Sequence, residues 1–240
     1  MVTSRQQPRL VLVSLTCEGS HVVLNGPNMD ELKFPVNQPE NKVMDCRVFG
    51  DDVQGRDCGD KVTRWLTDFL ADGRTFHLVR FEPQMELRKP WVKNISYRSV
   101  FPKTERVMYS DIGAVMLLSE ASVEDLSSKL GKQLTAERFR PNIVIAGCCP
   151  FDEDSWTEIQ IGDVRLQRVM SCVRCVSTTV DPETGIMSRK EPLETMKSYR
   201  QCKDKSEAHI YHSAPLFGQV HTVKKTGTLH VGDLVFLVTH

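Results

Sequence analysis

Two thiols three positions apart, Cys172 and Cys175, flank Val173 and Arg174 in the stretch Arg168-Val-Met-Ser-Cys172-Val-Arg-Cys175-Val-Ser-Thr-Thr. The thiolate, not the thiol, is the nucleophile and metal ligand, and a neighbouring guanidinium favours it. A structural zinc site wants four ligands, usually with a second Cys or His pair at matching spacing. No second Cys-x-x-Cys exists here, and no His pair at i, i+4 on a helix accompanies the first. A thioredoxin-like redox pair opens a helix inside a βαβ unit, whereas this pair is followed by β-branched residues and a turn. Two readings stay open on spacing alone. One is a functional thiolate with a bystander cysteine. The other is two buried structural cysteines, since free Cys is among the most buried residue types.

The elements that must position the thiols come next. Val164-Arg-Leu-Gln-Arg-Val-Met170 alternates apolar and polar and reads as a half-buried strand, so the thiols sit where a strand runs into a loop. Asp181-Pro-Glu-Thr-Gly185 is a turn, with Pro presetting φ and Gly free to take φ > 0. Gly162-Asp163 and Gly232-Asp233, each between apolar residues, read as hairpin turns of a barrel. Ile143–Ile145 is a buried strand, and the adjacent Cys148 and Cys149 point in opposite directions if extended. Val115–Leu118 is a strand. A helix opens at Ser119-Glu-Ala-Ser122, where Ser122 and Asp125 resemble a capping box and Val123, Leu126 and Leu130 mark the buried face. Glu191–Tyr199 reads as a short helix and Lys203–Ala214 as a polar loop. Asp204, His209 and His212 invite a metal, but the polarity around them reads as solvated.

The first third is a series of short strands: Leu10–Leu15, His21–Leu24 after the turn at Glu18-Gly-Ser20, Glu31–Pro35 and Lys42–Phe49. Such spacing suggests a β-barrel or sandwich lobe. Gly55-Arg-Asp-Cys-Gly59 is neither a dinucleotide fingerprint nor a P-loop; it reads as the turn before a helix with Asp60 as N-cap. Val62, Trp65, Leu66, Phe69 and Leu70 then repeat at helical spacing over Asp60–Leu70, a face that meets a core. Phe76–Phe81 is strand-like, and His77 within it reads as a satisfied side chain. Glu82–Ser110 is polar, basic between Arg88 and Arg106: a connecting loop, or a lid or docking surface for a protein partner.

Composition bounds the function. The 31 basic and 31 acidic residues balance, which gives no electrostatic case for nucleic acid. Eight cysteines among 240 residues are too sparse for a disulfide scaffold, and a reducing compartment is expected. The longest apolar run falls short of the roughly 18 residues needed to span a membrane.

Val169-Met-Ser-Cys-Val-Arg-Cys-Val-Ser-Thr-Thr-Val-Asp-Pro-Glu-Thr-Gly185 resembles the core motif of the molybdenum-cofactor sulfurase C-terminal (MOSC) domain, and most closely that of the vertebrate amidoxime-reducing branch of the family. Phe139-Arg-Pro-Asn-Ile-Val-Ile145, Glu153-Asp-Ser-Trp156, Leu193–Cys202, Pro215-Leu-Phe-Gly218 and Gly227-Thr-Leu-His-Val-Gly-Asp233 extend the resemblance in order. It implies a mixed α+β, β-rich fold: a MOSC-type β-barrel, an incomplete N-terminal β lobe and a few packed helices. Residues 1–85 would be the N-terminal region, truncated at its start, and 89–238 the MOSC domain.

By the same resemblance, molybdenum on molybdopterin is bound by one thiolate, matching Cys175, which would be both catalytic residue and metal ligand. Thiolates suit such soft centres. Asp111, Ile112, Gly113, Arg140, Asn142, Val173 and Arg174 match cofactor contacts. The arginines can serve a phosphate, while Val173, Ile112 and Gly113 can offer only backbone or shape. The implied activity is reduction of N-hydroxylated compounds (amidoximes, hydroxylamines, nitrite or nitrate). Electrons come from NADH through a flavin reductase and a b-type cytochrome, at the cytosolic face of the mitochondrial outer membrane. No acid–base residue is assigned, and protons come from water. Family members carry an anchor and further strands with a Lys-Ser pair and an Arg ahead of the point where this chain begins, so the expected lobe is incomplete. The family has an acid where this chain has Cys149. The alternatives are a cofactor carrier related to the sulfurases, whose pyridoxal-phosphate domain has no room here, or a non-catalytic fragment.

Overall fold

The structure, a computed structural model, describes residues 1–90 and 100–238. Residues 91–99, inside the basic stretch read as a lid or docking surface, lie outside the described residues. The chain forms two compact units, Met1–Arg88 with Val180–Met187, and Lys89–Thr179 with Ser188–His240.

In the first unit, β1 (Ser14–Glu18), β2 (His21–Asn25) and β3 (Leu32–Pro35) form one antiparallel sheet. A second contains β4 (Val43–Val48), β5 (Asp51–Asp57) and the two-residue β6 (Val79–Arg80). The run Leu10–Leu15 is not one strand. Pro8–Leu12 is a 3-10 helix, because Pro fixes φ at its first turn, and the strand starts at Ser14. Gly55 lies within β5 and not in a turn. Asp60 is the first helical residue of α1 (Asp60–Leu70) and Gly59, at φ 95°, is its cap. Only a residue tolerant of φ > 0 suits that corner. Helix α1 buries Val62, Trp65, Leu66, Phe69 and Leu70 against Leu24, Phe34 and Phe76. Each such side chain contributes about 1.5–3 kcal/mol on burial. His77 shares Nδ1 between Thr63 Oγ1 and Asp57 Oδ2, both at 3.1 Å, as a satisfied side chain does.

The second unit is built on a six-stranded sheet that curls into a half-barrel. Its strands are β7 (Val115–Ser119), β8 (Ile143–Ile145), β9 (Glu158–Ile161), β10 (Val164–Val173), β11 (Leu216–Lys225) and β12 (Val235–Leu237), ordered β12-β9-β10-β11-β7-β8. Gly162-Asp163 turns the β9–β10 hairpin. Gly232-Asp233 does not turn a hairpin, since β12 pairs with β9 and not with β11. Strand β8 is a parallel edge strand whose Val144 is exposed, so it is less buried than its apolar run suggests.

Helix α2 (Glu120–Leu130) is capped by Ser119, whose Oγ accepts from Ser122 N at 3.1 Å. Ser122 is thus not the cap. Its hydroxyl donates to Glu153 Oε1 and receives Phe151 N. Helix α3 spans Leu193–Tyr199. The segment Lys203–Ala214 is not wholly a solvated loop: it holds α4 (Ala208–Tyr211), with Ile210 and Tyr211 buried. The turn after it forces His212 to φ 50°, ψ −130°, a region suited to glycine. His212→Gly is expected to stabilise the chain by about 1 kcal/mol, raising the melting temperature by about 2–4 °C. A lowered melting temperature would show that the His212 side chain contributes more than its backbone strain removes.

Candidate functional site

Strand β10 delivers the thiols irregularly. Its pairing with β11 shifts register between Arg165 and Leu166, Arg168 and Met170, and Ser171 and Val173. Such bulges re-aim side chains. Cys172 ends up half-buried against the apolar cluster of Phe101, Met170, Ile210, Tyr211, Leu216 and Val220, on which Val173 and Ile112 also pack. Cys175 lies past the strand, exposed, at the start of the 3-10 turn Val176–Thr179. Its carbonyl accepts from Thr178 N and Thr178 Oγ1, which pins the backbone under the thiol. Burial pushes the Cys172 thiol up; Arg174 opposes this, while Asp111 and Cys175 add to it. Cys172 therefore stays protonated at neutral pH, and Cys175 is the accessible sulfur of the pair.

Arg174 is tied into the fold. Its Nε donates to Phe217 O at 2.7 Å, Nη1 to Phe139 O at 3.0 Å and Nη2 to Met116 Sδ at 3.3 Å. Its backbone N–H donates to Pro215 O at 2.9 Å. One side chain thus staples β7, β11 and the 3-10 turn Ala136–Phe139 to the end of β10. Gly218 makes room for it. At φ 79°, a Cβ there would lie 2.7 Å from Leu117 O and 3.3 Å from Arg174 Nη2.

Arg140 follows that 3-10 turn in left-handed geometry (φ 54°), with its side chain exposed. Asn142 exchanges two bonds with Met116: its N–H donates to Met116 O and its Oδ1 accepts from Met116 N, both at 2.8 Å. This leaves the Asn142 amide nitrogen uncommitted among the described residues. Of the loop Asp111-Ile112-Gly113, Ile112 packs against the same apolar cluster as Cys172 and Val173. Gly113 lies so close to Val220 that a Cβ would collide with it. The expected residues thus lie in one unit, flanking β7, β8 and β10. Cys148 is half-buried and Cys149 exposed.

Sequence reasoning missed the polar framework behind this face. Tyr211 Oη accepts from Ser171 N at 3.0 Å. Arg168 donates to Gln219 Oε1 and Ser171 Oγ, Gln219 to Asp154 Oδ1, and Arg200 to Asp154 Oδ2. The resemblance covers Asp154, Ser171 and Arg200 but not Arg168, Tyr211 or Gln219. It gave them no role.

His221 on β11 is fully buried, and neither ring nitrogen meets a hydrogen-bond partner among the described residues. Burial pushes its pKa down to about 4, with the Gln219 main chain opposing and the Arg168 cation assisting. The unfolded chain therefore binds a proton between about pH 6.5 and 4 that the folded chain refuses. Stability falls as the pH drops through that window, by about 3 kcal/mol at its lower end. His221→Leu should flatten the loss, seen as a smaller gap between the melting temperatures at pH 7 and pH 4.5. An unchanged gap would assign the acid sensitivity elsewhere.

Among the described residues, the Cys175 sulfur has no hydrogen bond and the Arg140 guanidinium and Asn142 amide nitrogen are uncommitted; a thiol with such donors suits a soft, redox-active centre that carries an anionic group. Among the described residues, no group of three or more His, Cys, Asp or Glu is placed to hold a metal ion, so Asp204, His209 and His212 do not form one. The MOSC domain profile matches residues 104–236, and that of the MOSC N-terminal beta barrel domain matches residues 1–73. Mitochondrial amidoxime-reducing component 1 of Danio rerio is 55% identical over 240 residues, 100% of this chain and 71% of the relative. The Homo sapiens component 1 is 50% identical over 239 residues, covering 99% and 69%. Component 2 of Bos taurus is 49% identical over 240 residues, covering 98% and 69%. Matched along its whole length, the chain belongs to the MOSC domain family, within the mitochondrial amidoxime-reducing components.

Proposed function

We propose that this protein is a molybdenum-cofactor-dependent oxidoreductase that reduces N-hydroxylated compounds such as amidoximes and hydroxylamines. Electrons reach it from NADH through a flavin reductase and a b-type cytochrome. The observation that carries the reading is the division of the Cys-x-x-Cys pair into a half-buried, protonated Cys172 and an exposed Cys175 whose sulfur has no hydrogen bond among the described residues. When bound, the cofactor supplies the two-electron chemistry at an N–O bond. Cys175 would hold the metal. Arg140 and the Asn142 amide would bind the pterin and its phosphate, since a guanidinium matches phosphate bidentately. The backbone of Asp111-Ile112-Gly113 and Val173 would shape the pocket floor.

Arg174 has a different part in this reading. Its donors are engaged with Phe217, Phe139 and Met116, so it orients the Cys175 loop and contributes charge. The relatives' names place them in mitochondria. The same location, at the outer membrane, is proposed here. Among the described residues no helix is long and apolar enough to cross a membrane.

The test is reduction of benzamidoxime by the purified chain with NADH, the flavin reductase and the cytochrome, beside its molybdenum content. Turnover with near one metal per chain is expected. Metal without turnover would favour cofactor carriage, and neither would mark a non-catalytic fragment.

A further inference from the structure

The turn Asp181-Pro-Glu-Thr-Gly185 is tied back to Cys175 through its own neck. Val180 and Met187 make an antiparallel bridge. Above it, Asp181 N donates to Ile186 O and Gly185 N to Asp181 O, both at 2.8 Å. The Asp181 carboxylate accepts from Glu183 N and Thr184 N, a local bond that stiffens a turn. Below the bridge, Thr179 clasps the neck. Ser188 N donates to Thr179 O and Arg189 N to Thr179 Oγ1, both at 3.1 Å. The same hydroxyl donates to Val176 O at 2.7 Å, on the residue directly after Cys175. Thr178 and Thr179 are both buried, where a hydrogen bond is stronger than in water.

The far end of this hairpin is seated too. Glu183, Thr184 and Ile186 are exposed, yet Gly185 among them is buried. At φ 68°, a Cβ on Gly185 would lie 3.1 Å from Leu12 Cδ1 and 3.2 Å from Arg9 Cα. Both residues belong to the 3-10 helix Pro8–Leu12. That helix is anchored in turn. Leu10, Leu12 and Val13 pack on the α1 cluster, and the Arg9 guanidinium lies 4.5 Å from the centre of the Phe69 ring. Val180–Met187 and the 3-10 helix fall within the first unit. Direct contacts therefore run from the α1 core through Pro8–Leu12 and Gly185 to Thr179 and the turn that presents Cys175. We propose that Gly185 is a positioning residue for the Cys175 sulfur. Its close seat, open only to a residue without a side chain, fixes the hairpin, and the hairpin fixes the turn through Thr179. The inference rests on the reading of Cys175 as the thiol of the site, and gives the 3-10 helix Pro8–Leu12 a part in holding it.

Gly131 supplies a matched control: its φ is 63°, but a Cβ there meets nothing within 4 Å. Valine at either position strains the backbone alike, and only at 185 does it also strike the 3-10 helix. The test compares hydrogen exchange in the cofactor-free parent, Gly185→Val and Gly131→Val. The Thr178, Ser188 and Arg189 amides should exchange about tenfold faster in Gly185→Val, with the β10 and β11 amides unchanged. In Gly131→Val those three amides should stay within about twofold of the parent. After cofactor loading, Gly185→Val should keep less than about half of the parent's molybdenum, since a site loosened at its support binds poorly. Equal exchange in the two variants would overturn the proposal. A rise spread over β10 and β11 as well would also overturn it, leaving Gly185 a residue of general stability. Should Gly185→Val fail to fold, Leu12→Ala removes the seat from the other side and must speed the same three amides while sparing β10 and β11; no change there would defeat the proposal. A parent chain that takes up no molybdenum would sink the cofactor reading, and the exchange comparison would still decide whether Gly185 holds the turn.

Discussion

Cys175→Ser should remove molybdenum from the purified chain and lower amidoxime turnover to below about one-thousandth of the parent rate. A serine hydroxyl keeps the shape but is neither soft nor ionised at neutral pH, so it cannot replace the thiolate. The same substitution should leave stability within about 0.5 kcal/mol. The side chain is exposed and its sulfur makes no bond among the described residues. The companion Cys172→Ser reports the opposite role: metal retained, stability lowered, because that thiol packs against Met170, Tyr211 and Leu216. Metal analysis and thermal unfolding of both variants decide the matter. Metal lost from Cys172→Ser and kept by Cys175→Ser would reverse the assignment.

Arg174→Met should cost about 3 kcal/mol, lowering the melting temperature by about 6–12 °C. It removes charged donors from Phe217 O and Phe139 O and leaves those carbonyls without them. Methionine fills much of the same volume, so lost packing adds little. Arg174→Lys should recover less than half of the loss, because an ammonium cannot span two acceptors held by a planar fork. Urea unfolding of the two variants measures this. A melting temperature unchanged in Arg174→Met, with molybdenum lost, would make Arg174 a direct cofactor ligand and not a staple.

Local patterns carried much of the fold. Helix α1 was legible at Val62, Trp65, Leu66, Phe69 and Leu70, since helical spacing survives any context that buries one face. The β9–β10 hairpin was legible at Gly162-Asp163 for the same local reason. Caps were less so. Ser119 and Ser122 both suit a helix start, and which hydroxyl caps depends on Glu153 and Phe151, about thirty residues away. The turn at Gly232-Asp233 has hairpin chemistry, but β12 takes β9 as its partner. Strand partners are chosen across the sheet, and turn residues do not encode that choice.

For the candidate site, the sequence by itself determined the inventory: two thiols, an arginine between them, a strand before and a turn after. The family resemblance rested on those residue types and their order. Only the tertiary structure decided which thiol is accessible, because β-bulges in β10 set Cys172 against an apolar cluster and leave Cys175 outside it. It also decided that Arg174 binds the chain's own carbonyls, which lie on segments far apart in sequence. Burial and hydrogen-bond partners arise from contacts between distant segments, and no local pattern in the chain specifies them.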